Sequence, residues 1–307
     1  MHASVHEENP PALAVSIPMS TMDRIAVRFP SVEMFPRGSA AQRIVAEQRR
    51  HADDLIRALR QNPELARCVI RFGNSFESDS SGRPRTIGGA VDRWGVRRCA
   101  NWLTASGLAR LYGRWSHREP RILERDWPNA LQTAALTSTL VRSLELGCRG
   151  EELPAALCLP IGKILREAAT SVNRKAMRGR RIPQADPQEK SPGETREFER
   201  ELRTWFALTN RLPSSITQLV TTDDVLSEPS PANRLAFLIQ LSAEWAGCPQ
   251  QPEEQAAARA GAVGRLQQIL PDWNRQQCAL LLDSACEQAQ ALVTDWQKLF
   301  RIVQTGD

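Results

Sequence analysis

Apolar residues recur at spacings of three and four along most of this chain, and that period admits one kind of regular structure. Such a stripe lies on one face of an α-helix, whereas a half-buried strand needs alternation at two. Ala52, Leu55, Ile56 and Leu59 form one stripe, and Leu65, Val69 and Phe72 form the next, up to Gly73. Between them Asn62-Pro63-Glu64 restarts the helix: asparagine suits the cap, proline the first turn and glutamate the positive end of the dipole. Asn74, after Gly73, reads as a helix-end residue able to adopt a left-handed conformation. Thr86 opens a short helix through Ala90, Val91 and Trp94, closed by Gly95, and Val96 to Leu111 carry another that ends near Gly113.

Ala130, Ala134, Thr137, Val141 and Leu144 continue the period to Gly147, with small residues that suit close helix packing. Short helices are expected around 151–158 and 161–172, then one over 197–208, one from Pro213, and one capped by Ser230-Pro231. Val263, Leu266, Ile269 and Leu270 mark another. Asn274 with Gln277 reads as a capping box for a long helix striped by Leu281, Ala285, Ala289 and Trp296. Only Arg24–Phe29, where Ile25, Val27 and Phe29 alternate, reads as a strand. The expectation is an all-α chain of about ten helices without an internal repeat.

Charge narrows the function classes less than the fold. Lys and Arg number 40 against 35 Asp and Glu, a formal +5, which permits an acidic partner without demanding one. No apolar run approaches the ~18 residues of a membrane helix, and the acidic, proline-bearing start does not read as a signal peptide, so a cytoplasmic protein with no membrane partner is expected. The seven cysteines form no CxxC pair and only four histidines exist. Zinc spacing is therefore absent, and buried reduced thiols are expected. His51 reads as the polar side of its helix and His117 as part of a loop, both plain surface histidines; Gly88-Gly89 reads as tight helix packing.

Four segments in order resemble the HDOD domain, the non-catalytic relative of HD phosphohydrolases found in bacterial signalling proteins. LIRALRQNPELARCVIRFGNSF (55–76) carries Asn62-Pro63 and Asn74-Ser75; RTIGGAVDRWGVRRCANWL (85–103) carries Ile87, Ala90, Val91, Trp94 and Gly95. LPAALCLPIGKIL (153–165) retains Ile161, Gly162 and Lys163, and RLPSSITQLVTTDD (211–224) retains Leu212-Pro213. The resemblance covers roughly 25–250. It implies a multi-helix HD-like domain there, behind a flexible tail over 1–24, with extra C-terminal helices over 251–307 that pack on the same core or stand apart.

HD phosphohydrolases hold metal with imidazoles and carboxylates, because the ion must polarise phosphate and acidify water. By the resemblance those positions fall on Asn129, on Leu159-Pro160 and on Asp223-Asp224. Leucine and proline side chains offer no ligand, so no metal, no cofactor and no hydrolase activity are expected. The family implies a signal-transduction role, through unidentified signalling proteins or a ligand, in processes such as stress response, motility or biofilm control. A divergent HD-type phosphohydrolase acting on nucleotides is the first alternative. The segment 174–194 has three prolines and no apolar period, and reads as a mobile loop. Its Arg174, Lys175, Arg178, Arg180 and Arg181 could hold a nucleotide or an acidic partner through forked hydrogen bonds. With no reading helix or stacking aromatics beside them, nucleic acid is not the expected partner, and a nucleic-acid-binding regulator stays the second alternative.

Overall fold

The computed structural model describes residues 17–46, 51–76, 82–170, 192–222, 233–248 and 251–305, and all regular structure among them is helical. In chain order the helices are α1 (Met19–Arg28), α2 (Ala40–Ala46), α3 (Ala52–Arg60), α4 (Pro63–Ser75), α5 (Ile87–Trp94), α6 (Val96–Arg118) and α7 (Pro120–Ser143). They continue as α8 (Glu152–Cys158), α9 (Ile161–Thr170), α10 (Pro192–Thr209), α11 (Ser214–Thr221), α12 (Arg234–Ala246), α13 (Pro252–Ile269) and α14 (Arg275–Thr305). The chain is all-α, with more and shorter elements than the about ten its period suggests.

Helix α6 is buried on every side from Cys99 to Ala109, as a helix at the centre of a core must be. Beside it α7 packs against α8, α12 and α14; α4 and α14 cover another side of α6, and α9 joins α10 and α1. Small residues let these axes approach. A Cβ on Gly107 would press into the Phe35 ring, and a Cβ on Gly162 would fall well inside van der Waals contact of the Glu199 carbonyl, so α9 and α10 touch backbone to backbone there. Because a carbonyl on a helix cannot swing aside, Gly162→Ala is expected to cost about 2 kcal/mol, the scale of an overpacked core. Urea unfolding checks it, with Gly264→Ala, which meets open space, as the comparison; equal midpoints would count against the close approach.

The segment 17–35 enters this core. Arg24–Phe29 is not a strand: Ile25 and Phe29 are buried one helical turn apart while Val27 is 75 % exposed. Alternation over three apolar residues contains an i, i+4 pair, and the helical reading of that pair prevails. Since α1 starts at Met19, the expected boundary of a flexible tail near residue 24 falls inside a helix. Buried Asn210 then fastens the following segment: its Oδ1 accepts from the Met34 N–H at 2.8 Å, and its Nδ2 donates to the Val32 carbonyl at 3.0 Å. Trp115 stacks on Phe29 at 4.5 Å between centroids and donates Nε1–H to the Ser31 carbonyl at 3.1 Å.

Several local expectations change. Gly113 lies inside α6, which runs on to Arg118, so His117 is helical rather than in a loop. His51 is the N-cap residue of α3. Asn62 makes no side-chain cap bond, its carbonyl instead taking the Ala66 N–H at 3.0 Å. A Cβ on Gly88 would meet nothing and one on Gly89 only the Thr86 cap and, at 4.0 Å, Pro84, so this pair is no tight packing contact between helices. Ser230-Pro231 lies outside the described residues, and α12 begins behind Asn233. The capping box of α14 is present: the Gln277 N–H donates to Asn274 Oδ1 at 2.9 Å and the Asn274 N–H to Gln277 Oε1 at 2.8 Å. From Cys278 to Leu299, α14 buries its stripe in the same hydrophobic cluster as α6 and α7.

Candidate functional site

Helix α7 carries Asn129, and one turn before it Asp126 is almost wholly buried. Across from it, Leu159-Pro160 link the end of α8 to the start of α9, with Lys163 one turn further on. The Lys163 ammonium lies 2.7 Å from Asp126 Oδ1 and 3.9 Å from Glu167, while Arg125 reaches Asp126 at 3.5 Å and Glu167 at 4.0 Å. This corner is a web of two carboxylates and two cations of its own. It does not make a metal set: Asp126 Oδ1 is already held by an ammonium and a guanidinium, its buried Oδ2 is left with no partner, and the Leu159 and Pro160 side chains contribute no ligand to join it. Among the described residues no group of three His, Cys, Asp or Glu side chains converges as a metal set. Asp223 and Asp224 lie outside the described residues.

The family-like residues do structural work in known ways. Asn74 is inside α4 rather than left-handed, and its Nδ2 donates to the Pro84 carbonyl at 3.1 Å, holding the approach to α5. Ser75 Oγ donates to the Phe72 carbonyl at 2.7 Å and accepts Trp296 Nε1–H at 2.9 Å, which joins α4 to α14. Gly95 has φ +82°, the turn between α5 and α6. Leu212 is buried and Pro213 is the N-cap residue of α11, completing that corner. Arg174, Lys175, Arg178, Arg180 and Arg181 lie outside the described residues, so the structure does not bring them to any site.

A second place was not legible in the motifs. Between α4, α5, α6 and the α7–α8 connection lies a cavity of about 480 Å³ lined by Phe76, Trp94, Arg98, Trp102, Arg142 and Glu152. Trp94 and Trp102 meet edge to face at 5.0 Å, and Phe76 lies nearly parallel to Trp102 at 6.1 Å. Gly73 makes room for them, since a Cβ there would strike Trp94 and stand 2.6 Å from Trp102. The Arg142 guanidinium sits 5.6 Å above the Phe76 ring, and Arg98 donates to the Cys148 carbonyl at 3.0 Å. Neither is ion-paired to a carboxylate among the described residues. Trp102 Nε1 and Glu152 Oε2 are buried with no hydrogen-bond partner, a costly condition that proteins seldom leave unanswered. Burial pushes the Glu152 carboxyl up to about 7, with the Glu151 charge adding to the rise and Arg98 and the Gly150 and Glu152 backbone N–H groups opposing it.

Nucleophiles are quiet elsewhere. Cys68, Cys99, Cys158 and Cys278 are buried and free, as expected of reduced core thiols. Burial holds Cys68 and Cys99 up at about 12 and Cys158 higher still; Cys148, beside the cavity, is also up at about 12, so none is a ready thiolate. Tyr112, buried in α6, donates to the Leu157 carbonyl at 2.9 Å and is spoken for. No helix among the described residues is long and apolar enough to cross a membrane.

Comparison with known proteins places this architecture. Two solved structures share it at 15% sequence identity, each covering 90% of this chain and 97% of the other. One is a Shewanella amazonensis SB2B protein described as a candidate phosphohydrolase (TM-score 0.54), the other a Geobacter sulfurreducens HDOD domain protein of unknown function (TM-score 0.55). No curated protein matches. The model of the HDOD domain family matches residues 38–200, more than half of the sequence, and with α2 to α9, the Asn74-Ser75 pair and the Ile161-Gly162-Lys163 start of α9 inside that span, the chain belongs to the HDOD domain family.

Proposed function

We propose that this chain is a cytoplasmic regulatory module that acts by binding a signalling protein or a ligand and performs no hydrolysis. The observation that supports this reading is the corner of α7 and α9, where the Lys163 ammonium holds Asp126 at 2.7 Å; by the family resemblance, Leu159-Pro160 occupy positions where the related hydrolases need ligands. The ammonium neutralises the buried carboxylate as a cation would, but it has no open coordination position at which to acidify a water. The family resemblance supports a role in bacterial signal transduction, with stress response, motility and biofilm formation as the processes to examine.

The test is direct. Purified full-length protein is supplied with manganese, magnesium or iron(II) and with nucleoside mono-, di- and triphosphates, and released phosphate is followed. No metal-dependent release above buffer is expected, and elemental analysis is expected to find no stoichiometric metal. Release that requires a metal and disappears in Asp126→Ala would overturn the reading in favour of a phosphohydrolase. Steeply salt-dependent binding to a generic DNA duplex would instead favour a nucleic-acid regulator, since neutralised phosphates release counterions.

A further inference from the structure

We propose that the cavity between α4, α5, α6 and the α7–α8 connection is a binding site for a free purine nucleotide. Its size, about 480 Å³, falls within the ~300–1,000 Å³ of small-molecule sites. Two of its lining residues, Trp102 and Glu152, each carry an orphaned polar atom. Trp102, 3% exposed, offers one N–H that finds no acceptor in the protein, and Glu152, 8% exposed, has one oxygen with no donor. An indole N–H only donates, so an occupant that reaches both groups answers them with an acceptor for the indole and a polar group for the carboxyl.

A purine edge carries both: ring nitrogens and carbonyl oxygen accept, and the exocyclic amine donates. The walls suit a flat ring as well, since Trp94 and Phe76 are half-buried aromatics beside Trp102, and base-on-aromatic stacking is favourable whatever the base. Arg98 and Arg142 then account for the other end of the ligand. Two guanidiniums at the rim, neither held by a carboxylate among the described residues, suit a phosphate through forked hydrogen bonds. Glu145, also on the rim, is the opposing charge they must outweigh. With Glu152 raised to about 7, its carboxyl carries a proton for much of the time near neutral pH. It then meets an anionic ligand without a second negative charge, and its Oε2 can donate as well as accept.

This inference rests on the proposed reading of the chain as a binding module and gives that module a ligand class. Its test uses the full-length protein at pH 7, titrated calorimetrically with AMP and GMP, and in parallel with adenosine and with inorganic phosphate. At least one nucleotide is expected to bind in the micromolar range, each half-ligand far more weakly. Trp102→Phe, which keeps a ring and removes the N–H, and Arg142→Gln, at an exposed position that does not threaten folding, are each expected to weaken binding about tenfold. No nucleotide binding below millimolar, phosphate binding as tightly as the nucleotide, or wild-type affinity in Arg142→Gln would overturn the proposal. Failure of the regulatory reading looks different: the nucleotide binds with the same dependence on Trp102 and Arg142, and is then hydrolysed.

Discussion

Alanine at position 296 is expected to cost about 4 kcal/mol, the scale of a buried tryptophan lost from a core. Trp296 is fully buried, meets Phe72 at 5.5 Å and Phe76 at 5.7 Å, both edge to face, and gives its N–H to Ser75. Truncation therefore removes ring contacts, opens a void between α4 and α14, and leaves Ser75 Oγ without its donor. Trp296→Phe should retain part of the packing and cost less, while Ser75→Ala should cost only about 1 kcal/mol, the hydrogen bond alone. Denaturant unfolding of the three variants checks the order. If Trp296→Ala unfolds like the wild type, α14 does not dock in solution as it does here.

The second large effect depends on pH. The raised Glu152 carboxyl means that the folded chain keeps a proton which the unfolded chain releases near 4.5. Below that value both states are protonated and Glu152 has no net effect. As pH rises from 4.5 to about 7, the unfolded state gains by ionising and stability falls, by about 3 kcal/mol once pH passes 7. Glu152→Gln keeps the shape and removes the titration. It should match the wild type at pH 4.5 and exceed it by about 3 kcal/mol at pH 8. Glu151 and Arg98 act on Glu152 directly, and Arg142, Glu145 and Cys148 line the same cavity; Glu151 is itself paired with Arg97 at 3.1 Å. Urea titrations of both proteins at the two pH values decide the matter, and a constant difference between them would dismiss Glu152 as the source.

The helical period made the architecture readable because it reports which residues face inward, whatever they touch. The same rule failed at Ile25 and Phe29, where three residues satisfy periods of two and four alike, and at Gly113, where a glycine deep in the core ends nothing because packing outweighs its helix propensity. Gly162-Lys163 was legible as a motif, but its physical content was not: the glycine serves a backbone contact with Glu199 in another helix, and the lysine a carboxylate 37 residues earlier. The cavity was invisible for a related reason. Trp94, Trp102, Arg142 and Glu152 sit on four elements with no spacing rule between them, and as separate letters the tryptophans read as core. The one local hint was a glutamate opening the apolar run Glu152–Cys158, a carboxylate with little water near it.

The Ser75–Trp296 bond also sets the order in which the molecule can assemble. It closes a span of 221 residues, and contacts so distant in sequence form late, because the entropy of closing the loop precedes any gain from the contact. Helices α3 to α9 can find one another locally, yet the groove on α4, α6 and α7 stays open, with Phe72 and Phe76 at its edge, until α14 arrives. A species lacking only that last docking step would be largely helical and apolar along one side, a surface on which two unfinished chains can meet before either is complete. The long helix is thus a stopper as well as a wall.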